Sequence, residues 1–266
     1  MMFANGRIAV STALAARMEH AYRVPVRVIP NGIGNPQKTQ TTGVLAAFGL
    51  VPSCYALTVA RVDEQKRQLD LIEAFSRARR APWTLAIVGG ADYSSEYARA
   101  VAHAAQQVDG VIMLGHQTGA ALAELYSHAG VFVLPSSHEG QPIAVLEAMS
   151  YGCPVILSDI PAHHEIVNSS SQFVPIGDVA ALASRLSETF RATTSRRLDV
   201  AEHELLMKTH DWRQIARHTL DVYLAALPGA TRAVRHDISS DIPARRDVGR
   251  SGLHLVPIGD VAAVAS

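Results

Sequence analysis

Two carboxylates, Glu139 and Glu147, lie in the stretch Ser136-Ser137-His138-Glu139-Gly140-Gln141-Pro142-Ile143-Ala144-Val145-Leu146-Glu147-Ala148-Met149-Ser150-Tyr151-Gly152. Pro142 suits the first turn of a helix, and Gly152 followed by Pro154 ends one, so Glu139 is expected just before that helix and Glu147 within it. The neighbours of Glu147 (Ile143, Val145, Leu146, Ala148 and Met149) are apolar on all sides. That predicts a buried carboxylate in need of a hydrogen-bonding partner, and a pair of ligand hydroxyls would serve. Backbone amides left free after Gly140 would add an anion site at the helix start. Phosphate and polyol recognition thus converge on one short segment, which suggests a nucleotide sugar. A bland reading stands beside this one, because an acidic residue near a helix N-terminus is favoured by the helix dipole alone. A basic pair upstream, Arg61 and Lys66 in Ala60-Arg61-Val62-Asp63-Glu64-Gln65-Lys66-Arg67, could hold a diphosphate or be two solvated loop cations.

These residues need elements to position them. Strand-like apolar runs at 55–60, 85–88, 111–114, 131–134 and 155–157 alternate with amphipathic stretches at 68–79, 95–107 and 120–128. This is the βαβ pattern of an α/β protein with a doubly wound parallel sheet, Rossmann-like in class. In such sheets the ligand sits beyond the carboxyl ends of the strands, where Arg61, Gly89, Gly115 and Ser136 all fall. Residues 8–20 read as a helix. Phe173 to Ser184 reads as a strand, a turn and a helix start capped by Asp178. That segment is echoed almost verbatim at 255–266, as a local duplication. Residues 211–227 read as a final helix carrying Trp212, Ile215, Leu220 and Tyr223, with part of its apolar face exposed. The expected organisation is residues 1–45 as a remnant of a preceding domain and a linker, 46–228 as the ligand-binding domain, and 229–266 as an irregular tail.

The chain has 266 residues, 48% hydrophobic and 18% charged, enough to bury a sizeable core. Its formal net charge is zero with no long basic run, which argues against a nucleic-acid partner. No apolar run reaches membrane-spanning length and the first residues lack the apolar core of a signal peptide, so a cytoplasmic location is expected. Cys54 and Cys153 lie beside predicted strands without metal-ligand spacing, which favours reduced, buried thiols. His116, His138, His163 and His164 do not have metal-site spacing either, so no metal is expected.

The carboxylate segment resembles the Glu-x7-Glu signature of the family 4 retaining glycosyltransferases. The resemblance extends upstream to Ala60 through Arg67 and downstream to Cys153-Pro154-Val155-Ile156-Leu157-Ser158-Asp159, in the family's order and spacing. It implies the nucleotide-sugar-binding half of a GT-B fold, with residues 26–33 similar to the last strand of the acceptor domain and the rest of that domain missing. By resemblance, Arg61, Lys66 and Glu139 form the catalytic set. The donor-binding set is Arg61, Lys66, Leu114, Glu139, Gly140, Gln141, Ile143 and Glu147. Glu147 would bind the ribose hydroxyls and Glu139 would face the sugar ring. The amides of Gly140, Gln141 and Ile143 would approach the phosphates, and Leu114 would meet the nucleobase. The implied enzyme moves a sugar with retention from a nucleotide-diphosphate sugar to an acceptor hydroxyl. It needs no cofactor beyond that donor substrate. A glycan or lipid-linked glycan acceptor would bring peripheral membrane contact. The competing readings are a non-catalytic nucleotide-sugar-binding module, a truncated inactive fragment, and an epimerase-like relative. The Gln141-Pro142-Ile143 run departs from the commoner Phe-Gly form, and its proline removes one amide from the phosphate set.

Overall fold

A computed structural model describes residues 4–90, 95–167, 173–192 and 198–226. The expected tail at 229–266, with its echo of 173–184, lies outside them. The chain opens with a short strand β1 (Ile8–Ala9), a helix α1 (Thr12–Tyr22) and a strand β2 (Arg27–Val28) that pairs with β1 in parallel. The helix expected over 8–20 is therefore split. Ser11 accepts a hydrogen bond from Leu14 N–H as the N-cap, so the helix cannot begin before it, and Ile8 and Ala9 are left to pair as strand. The strand expected over 26–33 shortens to two residues, and Ile33 instead bridges Asp211. A short helix α2 (Gly43–Ala47) crosses the expected boundary at 45.

Five strand–helix steps follow: β3 (Tyr55–Val59), α3 (Gln68–Ala78), β4 (Thr84–Val88), α4 (Glu96–Gln107), β5 (Val111–Gly115), α5 (Gly119–His128), β6 (Val131–Leu134), α6 (Ile143–Ser150), β7 (Val155–Ser158) and α7 (Pro161–His164). After them come β8 (Phe173–Val174), α8 (Val179–Arg191), α9 (Val200–Thr209) and α10 (Trp212–Ala226). Asp178 caps α8 as its sequence promised, accepting from Ala181 N–H at 2.8 Å.

Strands β3 to β8 form one parallel sheet in the order β5-β4-β3-β6-β7-β8. The order reverses between β3 and β6, so the crevice outside their carboxyl ends is the place where such sheets take ligands. Side chains alternate across the sheet. Tyr55, Leu57, Phe132 and Leu134 pack on one face with α5 and α6, and Ala56, Leu85, Ile87, Val131 and Val133 on the other with α3, α4 and α8. A strand buried on both faces has no polar alternation, which is why these segments read as plain apolar runs.

Cys153 is buried, whereas Cys54 is only half-buried just before β3; neither is in a disulfide. No helix among the described residues is long and apolar enough to cross a membrane.

Candidate functional site

Two loops flank the point of reversal. The first leaves β3 and carries Arg61, then Asp63, whose carboxylate accepts from Gln65 N–H and starts a single 3-10 turn over Glu64–Lys66. The turn ends at Arg67, in the left-handed conformation with its guanidinium on Asp70. The second loop leaves β6 and runs through Ser136 to Pro142. The two are stitched together by Ser137 N–H donating to Gln65 O at 2.8 Å and by Lys66 Nζ on Glu139 Oε1 at 2.6 Å. The Lys66 and Glu139 side chains are 20% and 8% exposed, so this is a largely desolvated ion pair. Arg61 is exposed, and its guanidinium makes no hydrogen bond or ion pair among the described residues.

Pro142 stands at the N-cap of α6, one position before the helix. Among the described residues no acceptor takes the N–H of Gly140, Gln141 or Ile143. The side chain of Gln141 has a different task. Its Oε1 accepts the Asn31 N–H and its carbonyl the Asn31 Nδ2–H, at 3.3 Å for the latter, while Asn31 O takes His210 Nδ1–H at 2.8 Å. The loop after β6 is thus anchored to the segment after β2 and to the end of α9. Leu114 is buried in the core, and its carbonyl already accepts from Gln117 Nε2 at 2.7 Å.

Glu147 departs from the expectation of full burial: it is half-buried. Helix α6 is apolar around most of its surface, but the turn carrying Glu147 faces α5, and the partner inferred as a ligand is in part a protein group. Tyr126 Oη donates to Glu147 Oε2 at 3.1 Å. Burial pushes the Glu147 carboxyl above the usual carboxylate range, and the Tyr126 hydrogen bond pulls it part of the way back. Sequence reasoning passed over Tyr126 because the two residues lie in different helices with no spacing rule to join them.

The histidines are likewise sorted by the structure. His116 and His138 are exposed, and His164 lies on Asp159 at 2.6 Å. His163 is fully buried. Burial holds its imidazole below the usual histidine range, and Nδ1 donates to Ser158 O at 2.7 Å. Its Nε2 and the Ser136 hydroxyl oxygen are buried without a hydrogen-bond partner among the described residues. No group of three His, Cys, Asp or Glu side chains among the described residues is placed to hold a metal.

The arrangement offers two cations and unbonded amides for phosphate, and two carboxylates for hydroxyls, along one edge of a parallel sheet. The family model described as "Glycosyl transferases group 1" matches residues 53–191. Over 246 residues the chain is 32% identical to the alpha-maltose-1-phosphate synthase of Mycobacterium tuberculosis, covering 84% of this chain and 64% of that enzyme. The sucrose-phosphate synthase of Thermosynechococcus elongatus superposes with a TM-score of 0.69 at 25% identity, over 81% of this chain and 57% of that one. HepE of Anabaena, in complex with UDP and glucose, superposes with a TM-score of 0.76 at 20% identity, over 85% and 64%. The chain thus spans less than two thirds of the length of each, and its parallel α/β fold is that of GT-B glycosyltransferases. By the match over more than half its length, the chain belongs to the group 1 glycosyl transferases.

Proposed function

We propose that this chain is the donor-binding half of a retaining glycosyltransferase that uses a nucleotide-diphosphate sugar. The acceptor hydroxyl attacks the anomeric carbon from the face the diphosphate leaves, the carbon–oxygen bond to the diphosphate breaks, and the departing diphosphate takes the electron pair and then the acceptor's proton. Arg61 and Lys66 would stabilise that charge without a metal, the guanidinium by bidentate contact and the ammonium as a point charge. Glu139 would face the sugar and Glu147 the ribose hydroxyls, with the amides of Gly140, Gln141 and Ile143 toward the phosphates. A glycan or lipid-linked glycan would be the acceptor, met in the cytoplasm or at a membrane surface. The observation that carries this reading is the Lys66–Glu139 pair at 2.6 Å, which joins the loops after β3 and β6 at the point of reversal. One of three ammonium donors is used there, so two remain for phosphate.

The test is calorimetric titration with UDP, GDP, ADP and their sugars, using Arg61→Ala and Glu147→Ala as controls. One diphosphate binding the wild type, with affinity lost in both variants, is the expected result. A folded wild type that binds none of them, or variants that bind as the wild type does, would overturn the reading.

A further inference from the structure

The position of Tyr126 goes one step further than the donor site described above, and rests on that reading. Tyr126 is buried on α5, its ring stacked on Tyr151 at 5.5 Å and 22° and lying 6.1 Å from Phe132. An aromatic ring held on two sides cannot swing, so its hydroxyl is a fixed donor. That donor meets Glu147 Oε2 at 3.1 Å, with Ala144 O at 3.4 Å as a weaker second acceptor. Tyr151 is itself tethered, because Gln37 N–H donates to its hydroxyl at 3.3 Å. The other carboxylate oxygen, Glu147 Oε1, has no hydrogen-bond partner among the described residues and is not among their buried unpaired atoms.

We propose that Tyr126 is a positioning residue for nucleotide binding: its hydroxyl fixes one oxygen of Glu147 and so presents the other to a vicinal diol of the ligand. A glutamate loses rotamer freedom when it binds, and a side chain already held by a rigid phenol loses less. The same hydrogen bond favours the ionised carboxylate, the form that accepts from two hydroxyls, against the opposing effect of burial. The other titratable groups placed around α6 are Tyr151 at its end, Cys153 beyond it, His203 of α9, whose Nε2 meets Ser150 O at 2.7 Å, and Lys38, whose ammonium lies beside Gly152. None of these donates to Glu147 in its place.

The sign of the pH effect follows. Affinity for a diol is present when Glu147 is ionised and falls as pH drops through its raised value. Without the Tyr126 hydroxyl that value rises further, so affinity is lost earlier on acidification.

The experiment is titration of the chain with UDP, GDP and ADP between about pH 5 and 8, for the wild type, Tyr126→Phe and Glu147→Ala. Tyr126→Phe keeps the stacked ring and removes one oxygen. It should weaken the diphosphate that binds by about tenfold near pH 6, the effect of one hydrogen bond to a charged group, and move the midpoint of the pH profile upward. A fluorinated tyrosine at position 126, a stronger donor with the same ring, should move the midpoint downward; this arm stands even where the phenylalanine variant does not fold. Tyr126→Phe binding as the wild type does throughout, while Glu147→Ala loses binding, would overturn the role of Tyr126 and leave the donor site standing. Glu147→Ala binding normally, or no diphosphate binding to the wild type, would overturn the donor reading and this inference with it.

Discussion

Lys66 and Glu139 carry the site's electrostatics, and their burial sets what a substitution does. Removing the cation leaves a carboxylate that is 8% exposed without its partner. Breaking a fully buried pair costs about 3–5 kcal/mol. Because Lys66 keeps contact with water, Lys66→Met should cost about 2 kcal/mol, and Lys66→Met combined with Glu139→Gln should recover more than half of that loss, since no charge is then stranded. Denaturant melts of the two variants and the wild type measure it; a double variant no more stable than the single one would show that the pair does not act as a unit. Arg61 is the contrast. It is exposed and has no partner among the described residues, so its substitution should change ligand affinity and leave the melt where it was.

The elements were largely legible in the residues, for reasons that also say where legibility stopped. Strands buried on both faces announce themselves as apolar runs, so β3 to β7 appeared within a residue or two of their observed ends. Residues 8–20 misled because Ile8, Val10 and Leu14 suit either period, and the decisive signal was the Ser11 cap in their midst. The meeting of Lys66 and Glu139 was open to sequence reading, since one follows β3 and the other follows β6 at the point of reversal, whereas Glu147 lies within α6. The hydrogen bonds of Gln141 to Asn31 and of Tyr126 to Glu147 were not, because they join residues far apart in sequence through shapes that only the packed structure sets. The exit of β4 shows how tightly these edges are built. A Cβ on Gly89 would lie 1.8 Å from Ala60 O, at a φ of +155°. Gly89→Ala must therefore push β3 and β4 apart where the loop after β3 begins. It should cost about 4 kcal/mol or more, or prevent folding. A melt within a few degrees of the wild type would contradict that account.

Across the whole molecule, the first elements are fastened to the sheet by a carboxylate. Glu165, just after α7, accepts the Thr12 and Ala13 N–H groups at 2.7 and 2.9 Å, while Ser11 takes Leu14 N–H with its hydroxyl and Ala15 N–H with its carbonyl. The open N–H groups of the first three residues of α1, Thr12, Ala13 and Leu14, are thereby used. Glu165→Ala should loosen β1 and α1 by about 1–2 kcal/mol while leaving the six-stranded sheet intact. Hydrogen exchange reads the two regions separately: faster exchange at Thr12 and Ala13 with unchanged protection in β3 and β4 is expected, and uniform loss would refute a local fastening.

The outer face of α10 has a consequence for how the protein behaves in a tube. Trp212 and Tyr223 are 54% and 63% exposed. Eleven residues of helix bring them back to nearly one line, about 16 Å apart along the axis. Val200 and Leu205 add further exposed apolar surface on α9. Proteins usually tolerate such a stripe by repelling one another, but this chain has a formal net charge of zero and an isoelectric point near 7.2. At neutral pH nothing electrostatic opposes sticking, and salt that is excluded from protein surfaces strengthens it. Colloidal stability therefore lies away from neutrality. The concentration at which the chain stays clear should rise toward about pH 9, where deprotonation gives every copy the same sign.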